Sequence, residues 1–418
     1  MGHPLHRSFL VSCFAIVFFL WIGVIGPEKV VTIETTAPTT ATLEPSVVSP
    51  LLMQRIDIGE PALHIPMPDP VRGIYLTGWT AGTTKGMTHA LSLFGEDSML
   101  NAVVVDIKDA TGRLSYEPLD EALAATGIGT KRISNLKGVI DEFHKRNIYV
   151  IGRLTVFEDP FFSKLHPEET YKDTRTGLPW TNFKGLTWVR ANSDLVRTHV
   201  AAIARDAYAQ GFDEIQLDYV RFPSDGEMKY LDLSSFTKNK NETMAEFFAA
   251  LYGELGPLGI PMSADVFGLT MSNDEVGIGQ KTTLIAPLVD KLSPMLYPSH
   301  FWNGTYGIAV PAAEPYKVIY KSLSDGIAKL DKIGIDKSKL RPWFQDFDLV
   351  GVKYTPELVR AQIIAAQDLG IDSWLMWDPR NIYTKEVYML EDTATVSMEP
   401  EVGLEPTTTR LQNGSSTN

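Results

Sequence analysis

The chain contains a single cysteine, Cys13, in 418 residues. One thiol can form no disulfide within the chain, and it cannot supply the cysteine sets that hold structural zinc. The eight histidines show neither H-x-H nor H-E-x-x-H spacing, so a histidine metal motif is missing as well. From these absences we expect neither a metal ion nor an organic cofactor.

Two catalytic signatures are also absent from the sequence. Without a G-x-S-x-G elbow a serine α/β-hydrolase triad is not indicated, and without a P-loop a nucleotide hydrolase is not indicated. The net charge is −13, from 38 basic and 51 acidic residues, and no block of Lys or Arg follows a strand or a helix. Nucleic acid is therefore not an expected partner.

The N-terminus carries an uncharged run of eighteen residues, Phe9–Gly26, preceded by Arg7. A membrane-spanning helix needs ~20 apolar residues, so we interpret residues 1–26 as a single-pass signal anchor with the body outside the cytoplasm. The alternative is a cleaved signal peptide and a secreted protein. Gly26 is followed by Pro27 and no A-x-A pattern is present, which favours the anchor.

Composition divides the remainder of the chain into three parts. Residues 27–70 are rich in Thr and Pro without an apolar period, which is typical of a linker. Residues 391–418 have a similar bias and are expected to be a disordered tail. The part between them, residues 71–390, is predicted to fold as one domain, since 44% hydrophobic residues suffice for a full core.

Short apolar runs alternate with helical patterns through this domain, which indicates an α/β fold with a parallel sheet. We predict a single (β/α)₈ TIM barrel. The alternative, an open doubly wound sheet, would need a Gly-rich nucleotide turn after the first strand, and Tyr75–Thr80 is not one. The predicted strands are Gly73–Leu76, Ala102–Ile107, Tyr149–Leu154, Glu214–Phe222, Pro261–Phe267, Lys291–Tyr297, Arg341–Phe347 and Ser373–Trp377.

Two aspartates stand at the ends of neighbouring predicted strands. Gln216, Asp218 and Val220 share one face of the fourth strand, and Asp265 ends the fifth. Parallel barrels place their chemistry at the C-terminal ends of the strands, where two such carboxylates can approach each other. Glycoside hydrolysis uses this arrangement, one protonated acid and one ionised partner. We predict Asp218 and Asp265 as the catalytic pair, with helix capping as the structural alternative for each.

Other side chains near strand ends are candidates for substrate binding. Aromatic planes pack on the C–H faces of sugar rings, whereas hydroxyl groups need carboxylates and other polar partners. For the aromatic residues the structural alternative is core packing, and for the acids it is a helix cap or a solvated loop. Arg221 would face away from Asp218 unless the strand ends in a bend, which Pro223 allows. The predicted substrate-binding residues are Asp106, Arg221, Tyr297, His300, Trp302, Asp346, Trp377 and Asp378.

Several segments resemble a family of glycosyl hydrolase domains whose activity is inferred and which is related to α-amylase-like barrels. The resemblance implies a barrel and a carbohydrate substrate. These segments follow one another through the predicted domain: Val103–Glu117, Gly152–Pro160, Phe212–Gly226, Ser263–Gly268, Leu292–Gly304, Phe344–Phe347 and Trp374–Tyr383.

Two departures limit what the resemblance implies about mechanism. Retaining α-amylase-like enzymes carry an Asp nucleophile on strand four and a Glu acid on strand five. Asp218 matches the first, but Asp265 is one methylene shorter than the second, so retention or inversion stays open. Chitinase-type barrels end strand four in D-x-x-D-x-D-x-E, and this chain has Val220 where the proton-donating Glu would stand.

The sequence therefore predicts a membrane-anchored, extracytoplasmic glycoside hydrolase that acts on a polysaccharide or cell-wall glycan by paired-carboxylate acid/base chemistry. A non-catalytic glycan-binding barrel at the cell surface is the alternative, because the strand-five Glu is missing. An esterase or deacetylase whose carboxylates hold a metal is a third possibility.

Overall fold

The computed structural model of the chain describes residues 62–274 and 276–390. Eight parallel strands close into a barrel in chain order, each paired with its sequence neighbours and β1 with β8, which confirms the predicted (β/α)₈ architecture. The strands are β1 Arg72–Leu76, β2 Ala102–Lys108, β3 Tyr149–Thr155, β4 Glu214–Asp218, β5 Met262–Phe267, β6 Lys291–Met295, β7 Trp343–Gln345 and β8 Trp374–Trp377.

Helices follow the strands and pack on the outside of the barrel. The long helix before β4 shows why they form: Ser193 caps its first turn by accepting from the Val196 amide at 3.1 Å, and Val200, Ile203 and Ala207 bury one face. The helices are α1 Gly78–Ala81, α2 Thr84–Leu91, α3 Glu121–Ala125, α4 Leu136–His144, α5 Pro160–Leu165, α6 Asp194–Ala209, α7 Lys240–Leu255, α8 Thr282–Ile285, α9 Pro315–Asp331 and α10 Pro356–Gln367.

Strand β4 is shorter than predicted, and the reason lies in its backbone. The prediction extended it to Phe222, whereas the strand ends at Asp218. Tyr219 has a φ of 53°, in the left-handed region that costs a non-glycine residue of order 1–3 kcal/mol. The chain turns sharply there, so Asp218 is the last residue of the strand and the segment after it takes a new direction.

Alternate residues of the strands fill the barrel interior in layers. In the layer below the catalytic candidates, Arg341 and Glu214 form a fully buried ion pair, with Nη1 donating to Oε2 at 3.0 Å. Ser263 accepts from Arg341 at 3.0 Å and the Tyr149 hydroxyl donates to Glu214 at 3.2 Å. Removing one partner of such a pair costs about 3–5 kcal/mol, so this layer is a rigid structural floor.

The segment before β1 belongs to the folded body. The Ile65 amide donates to Asp213 at 2.8 Å, His64 stacks on Tyr208 at 3.9 Å, and Met67 packs into the barrel interior. By composition, residues 64–70 are part of the predicted linker. Their contacts place them with the barrel, because proline-rich composition says nothing about burial.

The predicted anchor at 1–26, most of the linker and the tail at 391–418 lie outside the described residues. Within 62–274 and 276–390, no helix combines the length and the apolar character needed to cross a bilayer.

Candidate active site

A cavity of about 200 Å³ opens at the C-terminal ends of the strands. This is the end of the barrel where the strand-end acids were expected to meet. Both predicted catalytic residues line the cavity, together with three of the predicted substrate-binding residues. Its walls are formed by Tyr75, Arg153, Asp218, Tyr219, Arg221, Asp265, Phe267, Gln280, Met295, Tyr297, Trp343 and Trp377.

Asp218 is held by an arginine of the neighbouring strand. Arg153 on β3 donates from Nε at 2.9 Å and from Nη2 at 2.5 Å to the same oxygen, Oδ2. The other oxygen, Oδ1, accepts from the Tyr219 amide at 2.6 Å. Charge-assisted hydrogen bonds of this kind fix the orientation of the carboxylate.

The same arginine binds a second acid. Arg153 Nη1 donates to Asp106 Oδ1 at 2.7 Å, and the Tyr75 hydroxyl donates to Asp106 Oδ2 at 2.7 Å. Asp106 is buried and is not part of the cavity wall. Its predicted role in substrate binding is therefore replaced by another: it lies behind Arg153 and orients that guanidinium towards Asp218.

Asp265 lies on β5 at the same level as Asp218. Leu217 pairs with Ala264, so the two aspartates are the next residues on adjacent strands, which run ~4.8 Å apart. Asp265 Oδ1 accepts from Gln216 Nε2 at 2.8 Å and from Trp343 Nε1 at 2.7 Å. Oδ2 has no hydrogen bond within the described part of the chain, which leaves this oxygen to carry a proton.

Burial and a neighbouring negative charge raise the pKa of Asp265. Its side chain is 1% exposed, and this desolvation raises the pKa of the carboxyl well above its usual range. The charge of Asp218 raises the pKa further, whereas Arg153 and the Trp343 hydrogen bond act against the rise. The two carboxyls thus differ in their surroundings: one faces a guanidinium, the other indole and amide donors.

Arg221 reaches the cavity because the chain bends at Tyr219. Its guanidinium lies over the rings of Trp188, Phe267 and Tyr219 at 4.8, 4.9 and 5.5 Å, and the residue is 8% exposed. The nearest carboxylate, Asp225, is 3.9 Å from Nη2. This distance is too long for a hydrogen bond.

Glu158 follows β3 and is buried next to this arginine. Burial and the charge of Asp225 raise its pKa to about 7, against the attraction of Arg221. Asn182 donates to both acids, to Glu158 Oε2 at 3.1 Å and to Asp225 Oδ2 at 3.2 Å. A carboxyl that titrates near neutrality is suited to proton transfer, although Glu158 is not part of the cavity wall.

Two of the predicted aromatic residues line the cavity as expected. Tyr297 and Trp377 pack with ring centroids 5.0 Å apart, and Phe347 packs edge-on against Trp377 at 5.4 Å. His300 is exposed and packs edge-on against Tyr297 at 5.4 Å, outside the cavity wall. An aromatic wall of this type fits the apolar face of a sugar ring.

Three other predicted binding residues are not brought to the cavity. Asp346 is buried, where it accepts from the Thr384 amide at 2.8 Å and the Tyr388 hydroxyl at 2.6 Å, so it fixes the segment after β8. Asp378 accepts from the Arg380 amide at 2.5 Å within its own turn. Trp302 is 76% exposed on the loop after β6. Both acids thus make structural hydrogen bonds, and neither caps a helix.

Sequence reasoning missed Arg153, Tyr75, Trp343 and Glu158. A signal existed for Arg153, because a charged residue inside the apolar strand Tyr149–Thr155 is costly to bury without a partner. For Trp343 there was none, since 78 residues separate it from Asp265.

In the described parts of the chain, no group of three or more His, Cys, Asp or Glu side chains is placed to hold a metal ion. The chemistry that the described residues can perform is proton transfer between an acid and an oxygen, together with electrostatic or nucleophilic action of a carboxylate.

A closed (β/α)₈ barrel with two carboxyls in contrasting surroundings on adjacent strands, one bound by an arginine and one buried with a raised pKa, has the features of a glycosidase-type barrel. The model of the family described as "Putative glycosyl hydrolase domain" matches residues 73–383, from β1 to beyond β8. The chain belongs to this family, and it is an enzyme of the glycosyl hydrolase class. No curated protein sequence matches it.

Solved structures with a similar fold include a hypothetical protein from Ruminiclostridium thermocellum ATCC 27405. It is 37% identical, with a TM-score of 0.43, over 46% of this chain and 97% of that one. An α-galactosidase from Thermus thermophilus is 16% identical, with a TM-score of 0.48, over 78% and 61%. A chitinase from Chromobacterium violaceum ATCC 12472 is 12% identical, with a TM-score of 0.45, over 74% and 93%. Such distant similarity brings neither substrate nor site residues to this chain.

Proposed function

We propose that the protein is a membrane-anchored glycoside hydrolase that cleaves a polysaccharide or cell-wall glycan outside the cytoplasm. Asp265 is the general acid and Asp218 is the nucleophile or the general base. The observation that carries this proposal is the pair itself: a buried Asp265 with a raised pKa beside an arginine-bound Asp218, both on the wall of one cavity.

The two carboxyls divide the reaction between them. Asp265 Oδ2 gives its proton to the glycosidic oxygen as the bond to the anomeric carbon breaks. In the retaining form Asp218 bonds to the anomeric carbon and water later displaces it; in the inverting form Asp218 takes a proton from the attacking water. The Arg153 hydrogen bonds orient Asp218 for either role. The aromatic wall of Tyr297 and Trp377 supports the sugar ring.

The location outside the cytoplasm is supported by sequence alone. The uncharged run Phe9–Gly26 precedes a Thr/Pro-rich stretch that can hold the barrel away from a membrane surface. This location is tested by fusing a reporter that is active only after export to residue 27 or to residue 61. We expect the reporter to be active at both positions. An active cytoplasmic reporter at these positions would refute the location.

The catalytic pair is tested by turnover of a panel of plant, fungal and bacterial cell-wall glycans. We expect Asp218→Asn and Asp265→Asn each to lower kcat at least 100-fold, which is the usual contribution of one acid/base group. Asp346→Asn is the matched control, a buried strand-end acid outside the cavity, and it should keep activity. Unchanged turnover in both cavity variants would remove the pair from the mechanism.

The panel also separates the alternative function. Glycan affinity without turnover in the unmodified protein, and no loss of affinity in Asp218→Asn, would favour a non-catalytic glycan-binding barrel. The anomer first released, read by proton NMR, distinguishes retention from inversion.

A further inference from the structure

Arg221 differs from the other buried arginines of the barrel interior. Arg153 donates three hydrogen bonds to two carboxylates, and Arg341 binds Glu214 through both terminal nitrogens. Arg221 is comparably buried and lines the catalytic cavity, yet it donates no hydrogen bond to a carboxylate anywhere in residues 62–274 and 276–390.

The donors of this guanidinium are only partly used. Nη1 donates to the Phe222 carbonyl at 3.1 Å and to the Ser224 hydroxyl at 2.9 Å, both of them neutral acceptors. Nη2 is 3.9 Å from Asp225 Oδ1, beyond hydrogen-bond distance. Asp225 is held where it is by Asn182, which donates to Oδ2 at 3.2 Å. Among the described residues Nε and Nη2 therefore lack an acceptor.

The charge of Arg221 is also poorly compensated. Aromatic rings of Trp188, Phe267 and Tyr219 pack against the guanidinium. Burial lowers the pKa of Arg221, although Asp225 and the other nearby groups raise it. A largely buried cation whose nearest carboxylate lies beyond hydrogen-bond distance is costly, and an anion that supplied two acceptors would reduce that cost.

We propose that Arg221 binds the acidic group of an anionic sugar residue, a carboxylate or an ester sulfate, when that residue occupies the cavity beside Asp218 and Asp265. The inference rests on the proposed function for the sugar itself. The planar guanidinium fork suits the two oxygens of such a group, whereas a neutral hydroxyl accepts a hydrogen bond without balancing the charge.

The local charges support an acidic group at this position. Asp218 is already neutralised by Arg153, and the pKa of Asp265 is raised, so the cavity wall beside Arg221 carries little free negative charge. The chain as a whole has a net charge of −13, which repels a polyanion at long range. A positive group inside the cavity is thus a local feature and sets selectivity at short range.

The test measures binding, so it does not depend on turnover. Full-length protein carrying Asp265→Asn, which leaves the Arg153–Asp218 pair intact, is titrated calorimetrically with glucuronic, galacturonic and mannuronic acids and with glucose and galactose 6-sulfates, each against its neutral parent sugar. We expect at least one acidic member to bind about 10- to 100-fold more tightly than its parent, the range of charge-assisted hydrogen bonds. Preference for uronic acids or for sulfates identifies which acidic group is bound.

Three further variants decide the role of Arg221. In the same background, Arg221→Gln should reduce the preference to less than about 3-fold, and Arg197→Gln, which removes an equal charge on the outer face of α6, should leave it unchanged. Asp225→Asn removes the nearest competing acid, so it should raise affinity for the acidic sugar several-fold. This variant decides the matter if Arg221→Gln does not fold, because unchanged or lower affinity would then overturn the inference.

Equal affinity for the acidic and neutral members of every pair overturns the inference, as does a preference that survives Arg221→Gln. These outcomes are distinct from failure of the proposed function. A protein that prefers acidic sugars but hydrolyses no glycan would refute the hydrolase proposal and leave the anionic binding site standing.

Discussion

Arg153 donates from Nε and from Nη2 to a single oxygen of Asp218, at 2.9 and 2.5 Å, while its third nitrogen binds Asp106 at 2.7 Å. One cation on β3 thus serves two acids on the strands either side of it. Because the Asp106 contact fixes the guanidinium from behind, Asp218 is presented to the cavity in one orientation. Positioning of this accuracy is what a reacting carboxylate requires.

Replacement of Arg153 should damage both folding and activity. Arg153→Gln leaves Asp106 and Asp218 buried without their shared cation, which should cost about 3–5 kcal/mol in the free energy of unfolding. We also expect kcat to fall at least 100-fold as Asp218 loses its orientation. Urea denaturation and glycan turnover measure the two effects. Arg132→Gln, which breaks an ion pair with Asp109 away from the cavity wall, is the control and should retain turnover.

We expect the Asp265→Asn variant to be more stable than the wild type at neutral pH. Burial raises the pKa of the Asp265 carboxyl in the folded state. The stability that this carboxyl contributes is therefore complete below its unfolded-state pKa of about 4, and it is lost as the pH rises towards the folded-state pKa. Asp265→Asn cannot ionise and can still accept from Gln216 and Trp343. We expect its melting temperature to exceed that of the wild type at pH 8 by more than at pH 4. A variant less stable at pH 8 would contradict this.

Glu158 should contribute a pH dependence of stability between about pH 4 and 7. Burial and the charge of Asp225 raise its pKa to about 7, so the wild type loses stability as the pH rises through this window. Glu158→Gln should show a smaller loss, measured as the difference in melting temperature between pH 4.5 and pH 7.5. Glu96→Gln, an exposed site, should behave like the wild type. If the wild type and Glu158→Gln lose the same amount of melting temperature between pH 4.5 and pH 7.5, the pKa of Glu158 is not raised.

The carboxylate of Asp213 ties the segment before β1 to the barrel. It accepts from the amides of Ile65 and Val150, each at 2.8 Å, and from His144 at 2.9 Å. Burial acts to raise the pKa of Asp213, but these hydrogen bonds outweigh the effect of burial, so the pKa is lowered. The stability that the ionised Asp213 contributes is therefore lost as the pH falls below about 4. Asp213→Asn should cost about 1.5–3 kcal/mol at pH 7 and less at pH 3.

Hydrogen exchange locates that effect. We expect the Ile65 amide to exchange faster in Asp213→Asn than in the wild type. In the control variant Asp97→Asn, which changes an exposed residue, exchange of the Ile65 amide should be unchanged. Protection of Ile65 in the Asp213 variant equal to that in the wild type would show that the segment is held by its apolar contacts alone.

The two predicted tryptophans should differ in their effect on substrate binding. Trp377 lies on the cavity wall against Tyr297, whereas Trp302 is 76% exposed outside it. Trp377→Ala should raise KM about 10-fold or more through the loss of ring stacking, and Trp302→Ala should change it less than 2-fold. Steady-state kinetics on the best glycan of the panel measures both. A larger effect at Trp302 would place a sugar subsite on the loop after β6.

The sequence by itself determined the barrel and the meeting of Asp218 and Asp265 at one cavity. Apolar runs that alternate with helical patterns can be buried only as βα units, and the two-residue period of a strand places Asp218 and Asp265 on the inner face. Since parallel strands end at one rim, adjacency of β4 and β5 was enough to bring the two aspartates together. These inferences depend on local periodicity and chain order, which a sequence displays directly.

Only the tertiary structure decided which other residues join them. The left-handed turn at Tyr219 brings Arg221 into the cavity, and the barrel closure places Trp343 against Asp265. Asp346 directly follows β7 and Asp265 lies near the end of β5, yet hydrogen bonds with Thr384 and Tyr388 hold Asp346 away from the cavity. Contacts between distant strands follow from register, bends and closure, and no local pattern of residue types encodes them.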